Sequence, residues 1–117
     1  MAKEALSDRE IVSYLQDTLY VINGKWKLPI LMAIKKGSYR FREIQRNVPN
    51  ITSRVLSTEL KLLEQNKLIT RKVYDDVPVL VEYTLTAYSE TLFPIMEMMV
   101  YWGRDHRKVI ANSDRLK

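Results

Sequence analysis

The 117-residue chain predicts a mainly α fold with one small β hairpin, an α+β arrangement. Three observations carry this. Most of the chain divides into segments whose apolar residues recur every three or four positions, as in helices buried along one face. One segment, Leu68–Leu85, instead holds β-branched and aromatic residues on either side of Asp75-Asp76-Val77-Pro78. Turn residues cut the chain at Asn23-Gly24, Gly37 and Pro49-Asn50.

The first helix starts at Leu6-Ser7-Asp8-Arg9-Glu10-Ile11. Ser7 and Glu10 match a capping box, and Leu6 with Ile11 suits a hydrophobic staple around it. Ile11, Leu15, Leu19 and Ile22 form its stripe, and Asn23-Gly24 ends it. A second helix runs from about Lys25 to Lys36, with Trp26, Ile30 and Ala33/Ile34 in register. Pro29 falls near its first turn, where a missing N–H costs least. Tyr39-Arg40 is a short extended link. Phe41–Val48 is a third helix with Phe41, Ile44 and Val48 in register, and Pro49-Asn50-Ile51 is a turn.

Thr52 caps a fourth helix, Thr52–Glu64, that has two stripes. Leu56, Leu60 and Leu63 are apolar, whereas Ser53, Arg54, Ser57, Thr58 and Lys61 are small, polar or basic. Leu68–Tyr74 and Val79–Leu85 are the paired strands. Thr86 caps a last helix carrying Leu92, Ile95, Met96, Met99, Trp102 and Val109. Pro94 lies too deep in that helix for a first-position proline, so a kink or break is expected near Tyr88–Pro94. The tail Ala111–Lys117 is expected to fray. Helices three and four with their turn form a helix-turn-helix, and the strand pair is its wing.

Composition narrows the function. No cysteine is present, which excludes disulfides, thiol catalysis and thiol redox sensing. No apolar run is long enough to span a bilayer and no signal-peptide pattern opens the chain, so no membrane partner and a cytoplasmic location are expected. No glycine-rich phosphate loop, paired catalytic carboxylates or nucleophile elbow appears, so no enzyme activity is expected. The lone His106 has no second His or Cys for a metal, and neither metal nor other cofactor is expected.

The charge is concentrated. Lys35–Lys72 holds ten Lys/Arg and three Asp/Glu, a net +7, while the rest of the chain is −2. That is the footprint of a nucleic-acid reader; the alternative is a solvated basic surface. On the first reading Thr52–Glu64 enters the major groove of double-stranded DNA. Arg54 reads a guanine, and Ser53, Ser57 and Thr58, behind the capping Thr52, meet bases or phosphates. Lys61 meets backbone, Arg40 and Arg42 clamp phosphate, and Arg71 and Lys72 act from the wing's base because its tip, Asp75-Asp76, is acidic.

These residues together resemble the HxlR-type winged helix-turn-helix regulators, relatives of the MarR group. The matching pieces are Asn23-Gly24-Lys25-Trp26, Arg40-Phe41-Arg42-Glu43-Ile44, Ile51–Leu63, Val77-Pro78 with Val81–Thr86, and Trp102-Gly103. Each motif alone is weak, but their order is specific, and the match spans about Leu19 to Gly103. The resemblance implies a homodimer, formed through the first and last helices, that regulates transcription from a two-fold operator. Residues 1–117 are then one domain, with dimerisation helices at about 7–23 and 87–111 and a winged core at about 24–86. Met96, Met99 and Trp102 fit a shared core better than the interior of so short a chain.

The sequence departs from the family in three places. The cysteine that many relatives carry near the first helix is missing. Lys67 stands where a glycine usually closes the recognition helix, so Lys67 or Asn66 must take a left-handed conformation. Ser89 replaces a common glycine. Competing readings are a winged-helix protein-interaction module and a nonspecific DNA-binding protein. A small-molecule effector is conceivable in a cleft between the dimer helices and the core, but no polar constellation marks one.

Overall fold

The computed structural model describes residues 5–115. Helix α1 spans Asp8–Ile22, α2 Lys27–Lys35, α3 Phe41–Asn47 and α4 Ser53–Gln65. Strands β1 (Ile69–Tyr74) and β2 (Leu80–Leu85) follow, then a 3-10 turn at Tyr88–Thr91 and helix α5, Phe93–Arg115. The expected order of elements holds. Both strands begin one residue later than their predicted starts, and α2 begins at Lys27 because Gly24 takes φ +81° and Trp26 is still the cap.

Local chemistry explains the ends. The Ser7 hydroxyl accepts from Glu10 N at 3.2 Å while Glu10 Oε1 accepts from Ser7 N at 3.1 Å, a full capping box. That pairing to the ionised carboxylate holds the Glu10 pKa below its ordinary value. At α3 only half of such a box exists. Glu43 Oε1 accepts from Arg40 N at 3.1 Å, but a guanidinium offers no acceptor in return. Helices α2 and α4 close alike. Ser38 N donates to Ala33 O and Gly37 N to Ile34 O, each at 3.0 Å; Leu68 N donates to Leu63 O and Lys67 N to Glu64 O, also at 3.0 Å. These are Schellman motifs, whose left-handed residue is Gly37 (φ +110°) in one and Lys67 (φ +65°) in the other. Asn66 stays at φ −86°, so the left-handed duty falls on Lys67.

The break expected near Pro94 is present. The Thr86 hydroxyl accepts from Ser89 N at 3.1 Å and caps the 3-10 turn. The chain restarts as α5 at Phe93, so Pro94 is the second residue of a new helix and breaks no hydrogen bond. Ser89 is fully buried, and its hydroxyl donates to Thr86 O at 2.6 Å. Helix α5 extends through Arg115, into the tail Ala111–Lys117 for which fraying is expected; residues 116–117 lie outside the described residues.

The core lies between α2, α3, α4 and the root of the wing. Ile30, Leu31, Ile34, Ile44, Leu56 and Leu63 are sealed from solvent, and Trp26, Tyr83 and Leu85 pack against them. The strands pair antiparallel with Ile69 opposite Leu85 and Lys72 opposite Glu82. Tyr83 N also donates to Tyr39 O at 2.7 Å, which ties the extended link before α3 to the outer edge of the wing.

The two outer helices behave differently. Of α1 only Ile22 is buried, while Leu15 and Leu19 are 58% and 60% exposed. On α5, Phe93 and Met96 belong to the chain's own core, so Met96 leaves the set expected to be shared. Met99 and Trp102 remain outside it, Trp102 being 68% exposed and stacked on His106 at 4.9 Å. The radius of gyration is 17.7 Å, against about 13 Å for a compact chain of this length. No described helix is long and apolar enough to cross a membrane.

Candidate nucleic-acid interface

Helix α4 is held by its apolar side. Leu56, Leu60 and Leu63 are buried, and Thr52 Oγ1 caps the first turn by accepting from Val55 N at 3.2 Å. The opposite side is left to solvent: Ser53, Arg54, Ser57, Thr58 and Lys61 are all exposed, as is Thr52. The Thr58 hydroxyl donates to Arg54 O at 3.1 Å, so its lone pairs face outward as acceptors. This face carries no exposed acid before Glu64. Glu59, the other carboxylate of the helix, is turned inward against Lys27.

The turn before α4 is braced by side chains. Gln45 Nε2 donates to Ile51 O at 3.3 Å and to Ser53 Oγ at 3.1 Å. Asn50 takes φ +69°, a conformation Asn tolerates better than most residues. Asn47 Nδ2 donates to Ser38 Oγ at 2.8 Å and fastens the end of α3 to α2. Arg42 shares a shallow surface cleft with Gln45 and Arg46, next to Ser53. Arg40 is exposed at the cap of α3.

The wing separates its two basic residues. Arg71 and Lys72 are adjacent on β1 and exposed, so they emerge on opposite faces of the ribbon. Lys72 stands opposite Glu82, and its ammonium lies 5.0 Å from the Tyr74 ring. Arg71, opposite Tyr83, has no acidic cross-strand neighbour.

Three contributors escaped the sequence patterns. Arg46 lies one helical turn after Arg42 on α3, and that i, i+4 spacing was the signal that could have added it to the phosphate clamp. Gln45 braces the turn, a role no motif records. Lys27 Nζ lies 2.8 Å from Glu59 Oε2, with the side chains 7% and 16% exposed. The contact is ionic rather than a directed hydrogen bond, since Glu59 Oε2 is buried without a hydrogen-bond partner of good geometry. An open cleft does lie between α1, the 3-10 turn and α5, with Val21, Leu68 and Leu92 on its walls. Thr18 and Thr91 on its rim donate to Tyr14 O and Tyr88 O, and Asp17 and Tyr88 complete its polar lining. No group of three potential metal ligands occurs among the described residues.

A basic, braced helix-turn-helix followed by a two-stranded wing defines the winged helix-turn-helix class. The chain belongs to the HxlR-like helix-turn-helix family, which it matches over residues 21–111. It is 39% identical over 108 residues to an uncharacterized HTH-type transcriptional regulator of Methanothermobacter thermautotrophicus, covering 92% of this chain and 82% of that one. It is 42% identical over 92 residues to the HTH-type transcriptional regulator YtcD of Bacillus subtilis, covering 79% and 73%. Its fold superimposes on the redox regulator HypR in its reduced form with a TM-score of 0.78 and 40% identity, over 85% of this chain and 98% of that one. A protein assigned to the MarR family from Enterococcus faecalis V583 gives 0.77 and 30%, over 95% and 99%.

Proposed function

We propose that the protein binds duplex DNA sequence-specifically as a homodimer on a two-fold operator. Within residues 1–117, α4 reads the major groove, residues of about 24–86 form the DNA-binding core, and α1 with α5 join the two chains. The carrying observation is the exposed, polar and basic face of α4, set opposite a fully buried leucine stripe. Arg54 pairs with a guanine edge, while Ser53, Ser57 and Thr58 meet bases or phosphates. Lys61, Arg40 and Arg42 hold phosphates, and Arg46 adds to that clamp. Of the wing pair, Arg71 is the stronger phosphate ligand because Glu82 faces Lys72.

Surface area supports the dimer. The chain exposes 9469 Å², whereas a compact monomer of 13.8 kDa exposes about 6,600 Å². The excess, roughly 2,800 Å² per chain and so about 5,600 Å² for a pair, lies at the upper end of the total area buried in obligate homodimers. Its apolar part is concentrated on α1 and α5, at Ile11, Leu15, Leu19, Met99 and Trp102. Thiol-based redox sensing has no residue to act through here, because the sequence contains no cysteine.

Selection of bound sites from random duplexes, followed by titration at several salt concentrations, tests the proposal. The expected result is a pseudo-palindromic site with half-sites about 34 Å apart or a multiple of that. Affinity should fall steeply with salt. Absence of binding at low salt would overturn it, and binding without sequence preference would reduce it to a nonspecific binder.

A further inference from the structure

Three elements meet at one ammonium group. Lys27 Nζ lies 2.8 Å from Glu59 Oε2, 3.0 Å from Asn23 Oδ1 and 3.4 Å from Asn23 O. Asn23 ends α1, Lys27 opens α2, and Glu59 sits midway along α4. The ammonium thus donates hydrogen bonds to the two Asn23 oxygens and makes an ionic contact with Glu59, with the Lys27 and Glu59 side chains only 7% and 16% exposed.

We propose that Lys27 and Glu59 are a positioning pair that fixes the roll of α4 relative to α1 and so sets how sharply α4 discriminates DNA sequences. The inference rests on α4 being the DNA-reading helix. The leucine stripe fixes which face of α4 is buried, and the ion pair adds a charged contact at the edge of that stripe that limits small rolls about it. The pin is also well placed. At about 100° per residue, Ser57 and Lys61 lie roughly 160° around the helix from Glu59, and Arg54 roughly 140°. A roll of about 10° moves an atom some 6 Å from the helix axis by about 1 Å, enough to carry a hydrogen bond out of range. A buried ion pair contributes little net stability over an apolar replacement, so geometry is its better-attested use. Removing both partners leaves the net charge at +5, so the sequence-independent electrostatic attraction to DNA is unchanged.

The test compares wild type with Lys27→Met/Glu59→Met and with the conservative Lys27→Arg. Three quantities are read: the affinity ratio of the selected duplex over a scrambled one, the melting temperature, and the distance distribution between spin labels at Gln16→Cys and Glu64→Cys. The cysteine-free chain makes that labelling specific, and mixing with excess unlabelled chain isolates distances within one protomer. The double variant should keep its scrambled-duplex affinity and its melting temperature, lose about tenfold in the ratio, and broaden the α1–α4 distance. Lys27→Arg should keep the ratio within about threefold, since it retains the charge and the donors. An unchanged ratio with an unchanged distribution in the double variant would overturn the proposal. If that variant does not fold, the isosteric Glu59→Gln takes its place with the same directions and smaller sizes, and wild-type behaviour in it overturns the proposal equally. A wild-type chain with no sequence preference would refute the DNA-reading role instead, and the label distances alone would then decide the positioning.

Discussion

Lys67→Gly should stabilise the fold, and the size of the gain follows from one backbone angle. Lys67 holds φ +65° at the close of α4. An L-residue there pays about 1–2 kcal/mol, of which the greater unfolded-chain freedom of glycine returns about 0.5–1. The net gain is about 0.5–1 kcal/mol. Both Schellman hydrogen bonds use backbone atoms, as does the bond from Thr86 Oγ1 to Lys67 O at 2.7 Å, so all survive the substitution. The lysine side chain is exposed, and its removal opens no cavity. With an unfolding entropy of about 2.1 cal/mol/K per residue, the gain raises the melting temperature by about 2–4 °C. Far-UV circular dichroism melts at one fixed chain concentration measure it, because association shifts apparent stability. Asn50→Gly, at φ +69°, is the matched control and should gain less, since Asn tolerates this region. A melting temperature at or below wild type for Lys67→Gly, or a larger gain for Asn50→Gly, would refute the assignment of strain to Lys67.

Other expectations can be checked together. Arg54→Ala should cost about 1–3 kcal/mol on the selected duplex and relax the preference at one base pair, whereas Arg42→Ala should weaken all duplexes alike; equal losses everywhere would remove base reading from Arg54. Arg71→Ala should lower the slope of log affinity against log salt more than Lys72→Ala, with equal slopes speaking against the Glu82 compensation. Leu15→Asp with Trp102→Asp should convert the dimer to a monomer or an unfolded chain in sedimentation equilibrium, and a persistent dimer would place the interface elsewhere. The lowered Glu10 pKa adds stability to α1 that is present above the unfolded-state pKa and fades as pH falls through the folded one. Glu10→Gln should therefore flatten the acid limb of an α1 hydrogen-exchange profile, and an unchanged limb would contradict the capping role.

The elements carried by a single period were legible in the sequence. The leucine stripe of α4, its Thr52 cap and the capping box of α1 each depend on residues within one or two turns, and each stands where the pattern put it. The start of α5 was less legible. Pro94 announced a break, but the Thr86 and Ser89 hydrogen bonds that place it depend on geometry across the wing. Met96 and Met99 look alike in sequence, and only the tilt of α5 decides that one is buried and the other exposed. At the interface, exposed charges could be counted from the sequence. The Lys27–Glu59 pair could not, because its partners are 32 positions apart and join through tertiary packing. Arg71 and Lys72 were assigned one role as neighbours, yet strand alternation sends them to opposite faces.

The hydrogen bonds around α3 have a mechanical consequence. Asn47 fastens it to Ser38, Gln45 to Ile51 and Ser53, and Tyr39 to the wing at Tyr83. The end of α2, α3, the start of α4 and β2 are therefore cross-braced into one body. Helix α1 joins that body through its last turn, and α5 through its first. A signal that deformed this body from within would have to break those hydrogen bonds. In the proposed dimer a signal would act instead through α1 and α5, whose contacts with the partner set the angle at which each unit leans. Regulation of the proposed dimer would then be a matter of how far apart two such units are carried.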